Sequence, residues 1–275
     1  MRPIPTSFHL GPLEIHTYGL GLAITFWFAY RYFEHRLAKR GIPTDWVASM
    51  FIWVIVAAIA GARLLHVLSN WNYYAGHPAD ILAIWHGGLS SFGGLLLAVP
   101  VALYVAHKKC PELGILQGLD IVAPVLLAAW ALGRLLGPQL MVAGGGHETH
   151  QWFGMYYQGQ IGPRVPVPII QAIEDFLTYL VLIFLERRID ARRAVSPPGT
   201  IPYGTIIAVA MIIWGTTRSI DEHLLLGQDG ALGSMLVQIA GVALVVGGIV
   251  ILLGVRRRWP KRTAEVPTST SDTPV

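Results

Sequence analysis

The class of this protein follows from residues 45–68, which read DWVASMFIWVIVAAIAGARLLHVL. About 20 consecutive apolar residues are enough for a helix to cross a bilayer, where only hydrogen bonds within the segment can satisfy the backbone. The two formally charged residues, Asp45 and Arg63, lie near the ends and leave the middle apolar. The segment therefore predicts a transmembrane helix.

The whole chain has the composition of a membrane protein. Of its 275 residues, 53% are hydrophobic and 13% are charged, whereas about 25% of residues are charged in an ordinary soluble domain. The mean hydropathy is +0.53. This composition excludes a soluble enzyme, a disordered protein and a disulfide-stapled secreted module. The single cysteine, Cys110, has no partner for an intrachain disulfide.

Six further segments have the same apolar character, so the sequence predicts an all-α membrane protein with seven transmembrane helices. They form one membrane domain over residues 1–255. The segment 256–275 is basic and then rich in Ser, Thr and Pro, and we expect it to be disordered because it cannot bury a core. The predicted spans are 18–33, 45–68, 89–106, 113–136, 167–185, 201–218 and 232–255.

The basic residues are distributed unevenly along the chain. Most of the 20 Lys and Arg residues follow the first, third, fifth and seventh spans. Cytoplasmic loops carry the excess of positive charge, so this pattern places the N-terminus outside and the C-terminus in the cytoplasm. Because the basic clusters lie beside spans rather than in one stripe, we expect no nucleic-acid partner, although the pI is near 9.3.

Five arginines break this pattern, and three of them, Arg63, Arg134 and Arg218, lie near the outer ends of spans two, four and six. An arginine inside a membrane is costly unless it faces a protein cavity with a partner, and its planar guanidinium suits bidentate binding of phosphate. We expect the three to converge on an anionic lipid headgroup. The alternative is that each snorkels to the interface or pairs internally, as the spacing of Arg218 and Glu222 allows.

Further polar residues are expected on the same side of the membrane. His16 and Tyr18 lie at the outer margin of span one, and residues 86–94 read HGGLSSFGG, which runs from just before span three into its start. A glycine-rich turn lets backbone N–H groups approach an anion closely. Small residues at these positions would equally allow close packing of helices.

Other polar motifs do not predict a site. The sequence HETH at 147–150 has one residue too few between its histidines for a zinc protease, so no metal site and no cofactor is predicted. Acidic residues inside spans can conduct protons. However, Asp120 lies at the cytoplasmic end of span four, whereas Glu174 and Asp175 lie at the outer end of span five, so we expect no continuous relay.

The order of the motifs resembles the prolipoprotein diacylglyceryl transferase family, which consists of seven-span bacterial membrane enzymes with an outside N-terminus. The resemblance covers most of the chain and rests on several short motifs in sequence. They are IHTYGL at 15–20, GARL at 61–64, WHGGLSSFGG at 85–94, DIVAP at 120–124, GR at 133–134, WFGM at 152–155 and WGTTR at 214–218 with Glu222.

The resemblance implies transfer of a diacylglyceryl group from phosphatidylglycerol to the lipobox cysteine thiol of a prolipoprotein, with release of glycerol 1-phosphate. Its implied partners are phosphatidylglycerol, the lipobox segment and membrane lipids, at the outer side of a bacterial cytoplasmic membrane. Arg134 and Arg218 would act on the phosphate, and Glu222 would orient Arg218. The implied substrate-binding residues are Tyr18, Arg63, Gly87, Gly88, Ser90, Gly93, Gly94, Gly154 and Glu222.

Three departures from the family motifs bear on activity. Phe92 stands where the family commonly has a histidine proposed as base, LLGP at 135–138 replaces a Gly-Asn pair, and VPVPIIQ at 165–171 replaces HPTPLYE. One hypothesis is a divergent transferase in which His86 or His16 serves as the base or the headgroup phosphate itself assists. The other is a catalytically silent paralogue that binds anionic phospholipid or a membrane partner.

Overall fold

The computed structural model describes residues 4–10, 13–83, 90–142, 144–197, 199–223 and 232–258. A short antiparallel hairpin of β1 (Ser7–Leu10) and β2 (Leu13–His16) precedes the helices. Single stretches of 3-10 helix lie at Pro78–Leu82 and Pro138–Leu140. The helices are α1 (Thr17–Ala38), α2 (Val47–Ser69), α3 (Trp71–Tyr74), α4 (Ser91–Lys109), α5 (Ile115–Leu136), α6 (Val167–Val195), α7 (Thr205–Asp221) and α8 (Leu232–Arg258).

Each predicted span coincides with one long helix, and the all-α membrane class is confirmed. By length and composition, four helices of the described part can cross a membrane, namely α2, α5, α6 and, over Val237–Arg258, α8. The start of the predicted disordered tail is helical, because α8 continues to Arg258. Residues 259–275 lie outside the described residues.

Two helices extend well past the predicted ends at residues 33 and 185. Helix α1 runs to Ala38 and α6 runs to Val195. Their extra turns carry charged residues that pair with each other, since Arg36 Nη2 and Arg40 Nη2 each donate to Glu186 Oε1 at 2.5 Å. Hydropathy marks where a helix leaves the apolar layer, whereas these ion pairs let both helices continue beyond it.

Helix α5 lies at the centre of the bundle and contacts α1, α6 and α7, while α2 packs along α4 and α7 packs along α8. Glycines bring two of these pairs close together. A Cβ added at Gly61 would overlap the carbonyl of Gly93, and a Cβ added at Gly93 would overlap that of Gly61. Gly215 and Gly241 make the corresponding contact between α7 and α8. Small residues allow helix backbones to approach in this way.

Asp120 of α5 fixes the start of α7. Its Oδ2 accepts a hydrogen bond from the backbone N–H of Gly204 at 2.7 Å, and its Oδ1 accepts one from Ile207 at 2.9 Å. The first N–H groups of a helix have no acceptor within the helix, so a carboxylate placed there is stabilising. Asp120 is buried, and it anchors the helix that carries Arg218.

Candidate functional site

Charged side chains from α5, α6 and α7 meet near one end of these helices. Arg134, in the last turn of α5, interacts electrostatically with groups on both of the other helices, including Arg218. The structure therefore brings together two of the three predicted arginines. We call this set the arginine–carboxyl cluster, and its members are Arg134, Glu174, Asp175, Arg218, Asp221 and Glu222.

Arg218 is held in place by its own helix. Its Nη2 donates to Glu222 Oε2 at 2.9 Å, and the two side chains are largely buried. This is the ion pair that the spacing of four residues allows, and it leaves part of the guanidinium for other contacts. Nη1 of Arg218 is buried and makes no hydrogen bond within the part of the chain that the structure describes. It can therefore donate to an oxygen of a bound ligand.

The carboxyl groups of α6 and α7 are linked to each other and to neutral side chains. Gln171 Nε2 donates to Asp221 Oδ2 at 2.8 Å, and Trp214 lies beside the carboxylate of Asp175. The charges of Glu174 and Asp221 act on each other. Asp175 and Asp221 are buried, so these contacts hold acidic groups inside the bundle beside the two arginines.

Sequence reasoning missed part of this cluster. Gln171, Trp214 and Asp221 were not predicted as site residues, and no relay was expected from Glu174 and Asp175. A signal was present, because positions 171, 174, 175 and 178 share one helical face, as do 214, 218 and 221. The spacing shows each polar face, but only the packing of α6 on α7 shows that the two faces meet.

Arg63 has a different set of described contacts. Its Nε donates to the carbonyl of Ile81 at 2.9 Å, and its Nη2 donates to the carbonyls of Asp80 at 2.5 Å and Ala83 at 3.2 Å. The guanidinium carbon also lies 5.3 Å from the centre of the Tyr74 ring. These contacts tie Arg63 to the connection between α2 and α4, and its predicted role at a lipid headgroup stays a prediction.

The described end of the glycine-rich segment belongs to a helix rather than to a turn. Gly93 and Gly94 lie in α4, where Gly93 packs on Gly61 and Gly94 packs on Ala58. Ser90 precedes the helix, and its N–H donates to the carbonyl of Ala62 at 3.0 Å. For these two glycines the structure supports the packing alternative, in agreement with the predicted span 89–106.

The structure describes some predicted residues only by their backbone and others not at all. His86, Gly87 and Gly88 lie outside the described residues. His16 and Tyr18 are placed by their backbone alone, His16 at the end of β2 and Tyr18 in the first turn of α1. The roles predicted for these five residues therefore stay predictions.

Gly154 helps to shape the connection between α5 and α6. Its N–H donates to the carbonyl of Gln151 at 3.0 Å, and a Cβ added to it would lie 3.1 Å from that of Pro163. The next residue, Met155, exchanges backbone hydrogen bonds of 2.9 and 2.8 Å with Arg164. A side chain larger than glycine would press on this compact turn.

The fold and the cluster define a helical membrane protein with charged groups buried between its helices. The family model for prolipoprotein diacylglyceryl transferase matches residues 5–254, and the chain belongs to this family.

Similar proteins include the phosphatidylglycerol–prolipoprotein diacylglyceryl transferases of Streptococcus pyogenes serotypes M3, M5 and M49. Each is 27% identical over 264 residues, which is 92% of this chain and 96% of the relative. Together with the apolar helices, these relatives identify a bacterial membrane protein of a transferase family.

Proposed function

We propose that this protein transfers a diacylglyceryl group from phosphatidylglycerol to the lipobox cysteine thiol of a prolipoprotein and releases glycerol 1-phosphate. The observation that carries the proposal is the meeting of Arg134 and Arg218 in a largely buried cluster. The names of the relatives support the same lipid donor and acceptor.

The reaction needs positive charge where the leaving phosphate develops its own charge. Fixed donors at that point stabilise the transition state, and guanidinium groups match the geometry of phosphate oxygens. Glu222 holds Nη2 of Arg218, so Nη1 is the donor left for the phosphate. The charges of Asp175, Asp221 and Glu174 act favourably on Arg134. In this way the carboxylates orient both arginines before the lipid binds.

We propose that all seven long helices cross the membrane, with the N-terminus outside and the cluster near the outer surface. Helix α6 supports this orientation, because Glu174 and Asp175 lie in its first turns and Arg192 and Arg193 lie in its last turn. Positive residues favour the cytoplasmic side. The cluster at the opposite end of α6 then faces outward, where a prolipoprotein presents its lipobox.

Phe92 keeps a second candidate function open. A phenylalanine cannot accept a proton, so a chain with Phe92 at the family's histidine position fits a silent paralogue that binds anionic phospholipid without turnover. Transfer to a lipobox peptide and binding of phosphatidylglycerol, measured on the same preparation, separate the two functions.

The test is the substitution Arg134→Gln in the full chain, purified in detergent and supplied with phosphatidylglycerol and a synthetic lipobox peptide. Loss of one preorganised cationic donor is expected to lower the rate of transfer by about 10²-fold or more. The matched control is Arg31→Gln, because Arg31 is an exposed arginine of α1, and we expect it to transfer like wild type. If the wild-type protein binds the lipid but transfers nothing to the peptide, the silent paralogue is favoured. If Arg134→Gln transfers at the wild-type rate, the phosphate role of Arg134 is contradicted.

A further inference from the structure

A second concentration of charged side chains lies at the other end of α6, in its last turns. Arg36 and Arg40 of α1 both donate to Glu186 Oε1 at 2.5 Å. Asp190, one turn further along α6, lies 3.6 Å from Nη2 of Arg40 and 3.1 Å from Nη1 of Arg193. We call this set the α1–α6 arginine cluster, and its members are Arg36, Arg40, Glu186, Arg187, Asp190 and Arg193.

This cluster is remote from the arginine–carboxyl cluster. Asp175 and Asp190 lie on the same helix, and at 1.5 Å per residue their separation along its axis is about 22 Å. The apolar layer of a bilayer is about 30 Å thick, so a single lipid headgroup cannot contact both clusters. The α1–α6 arginine cluster therefore lies toward the opposite membrane surface.

One part of the α1–α6 arginine cluster is buried and joins the two helices. Arg36 and Glu186 are buried, and Nε of Arg36 also donates to the carbonyl of Ile121 at 2.9 Å. Nη1 of Arg40 donates to the carbonyl of Arg36 at 3.0 Å. Because Glu186 accepts from two guanidinium groups but carries one negative charge, this part retains one positive charge.

The other part of the cluster is open to a ligand. The side chain of Asp190 is 46% exposed, and those of Arg40 and Arg193 are 23% and 19% exposed. Arg187 is exposed and borders Asp190, since residues three apart are neighbours on a helix. The guanidinium carbon of Arg193 lies 3.9 Å from the centre of the Tyr203 ring, which helps to fix its position. One carboxylate is thus flanked by three guanidinium groups.

The helix surface just before this charged zone is apolar. Leu180, Val181 and Phe184 are exposed large hydrophobic residues of α6, and the guanidinium carbon of Arg188 lies 4.6 Å from the centre of the Phe184 ring. Exposed apolar side chains on a membrane-spanning helix contact acyl chains, so the charged turns that follow lie at the depth of the lipid phosphates. A phospholipid matches both zones, whereas a soluble anion matches only the charged one.

We propose that the α1–α6 arginine cluster binds the headgroup of an anionic phospholipid in the leaflet opposite the arginine–carboxyl cluster. Its four arginines and two carboxylates leave a formal charge of +2, and planar guanidinium groups match the geometry of phosphate oxygens. Basic pockets between membrane helices hold anionic headgroups in this way. The inference does not depend on the transferase function, because the two clusters share no residue.

The test is native mass spectrometry of the full chain in detergent micelles, with phosphatidylglycerol or zwitterionic phosphatidylcholine added. We expect the wild-type protein to retain phosphatidylglycerol in preference to phosphatidylcholine. Arg187→Gln removes an exposed guanidinium and is expected to weaken the binding of phosphatidylglycerol at this site by about fivefold. Arg40→Gln is expected to weaken it at least as much, since Arg40 borders both carboxylates of the cluster.

The controls separate this site from general surface charge and from the transferase site. Arg31→Gln removes another exposed arginine of α1, which lies on the side of the helix opposite Arg40, and should bind phosphatidylglycerol as wild type does. In a double variant, the losses from Arg187→Gln and Arg134→Gln should add, because distant sites act independently. Arg187→Lys keeps the charge and should retain most of the binding. Unfolding temperatures in detergent identify any variant that fails to fold.

Unchanged binding of phosphatidylglycerol by folded Arg187→Gln and Arg40→Gln would overturn the proposal. An equally large loss in Arg31→Gln would overturn it as well, because the attraction would then belong to the whole basic surface. If the double variant loses no more than Arg134→Gln alone, the two clusters do not hold separate lipids and the proposal fails. A wild-type protein that binds phosphatidylglycerol but modifies no lipobox peptide would contradict the transferase function and leave the lipid site supported.

Discussion

Arg36, Arg63 and Arg218 are largely buried, and each has hydrogen-bond partners of a different kind. Arg36 shares Glu186 with a second arginine, Arg63 donates to backbone carbonyls and Arg218 pairs with Glu222. The sequence predicted only the last of these, because a spacing of four residues on one helix is visible without tertiary structure. Partners that come from other helices become visible only when the helices pack.

Tyr157 carries a residue-scale prediction about alkaline pH. Burial raises the pKa of its phenol from 10.0 to about 12, and its hydroxyl makes no hydrogen bond within the described residues. The folded state therefore favours the neutral phenol, and the stability that it contributes is complete below pH 10 and lost as the pH rises toward about 12.

The check is the unfolding temperature in detergent from pH 8 to 12 for wild type and for Tyr157→Phe. We expect the two proteins to have similar unfolding temperatures at pH 8, since the variant removes no described hydrogen bond. Between pH 10 and 12 we expect the unfolding temperature to fall less in the variant than in wild type. An equal fall of the unfolding temperature in both proteins at high pH would contradict the burial of the Tyr157 phenol.

At the scale of elements, the long helices were predictable and their ends were not. Apolar composition located every long helix, including α5, whose predicted and observed C-terminal ends agree at residue 136. It misplaced the end of α6, because Glu186 binds two arginines of α1 and supports further helical turns. The glycine-rich segment was ambiguous for a related reason, since glycine suits both an anion-binding turn and a close helix contact.

Gly93→Ala tests which of these two uses is correct. The added methyl would overlap the carbonyl of Gly61, and overpacking of this kind is expected to lower the free energy of unfolding by about 1–3 kcal/mol. The measurement is denaturant or thermal unfolding in detergent. Gly254→Ala is the matched control, because this glycine of α8 has open space around its Cβ position, and we expect no loss there. Lost lipid binding in Gly93→Ala with unchanged stability would instead favour an anion-binding role.

At the scale of the whole molecule, the proposed orientation accounts for both the distribution of the basic residues and the position of the arginine–carboxyl cluster. The same α6 helix carries acidic residues of the cluster near its start and Arg192 and Arg193 at its end. Charge counting along the sequence predicted which end faces the cytoplasm. It could not predict that α5, α6 and α7 converge, because this depends on contacts such as that of Asp120 with the start of α7.

Cysteine labelling in intact cells checks the orientation. In a Cys110→Ser background, Trp152→Cys places a thiol at a position that is 93% exposed between α5 and α6. We expect a membrane-impermeant maleimide to label it in intact cells. Glu112→Cys, between α4 and α5, should be labelled only after the cells are opened. The reverse pattern would contradict an outward-facing cluster.

The central claim is that this chain, with Phe92 at the family's histidine position, is an active diacylglyceryl transferase. The most direct measurement is the mass of a lipobox peptide after incubation with purified wild-type protein and phosphatidylglycerol. The account predicts a diacylglyceryl adduct on the cysteine and an equal amount of released glycerol 1-phosphate. An unmodified peptide, beside a family member that modifies it under the same conditions, would contradict the account.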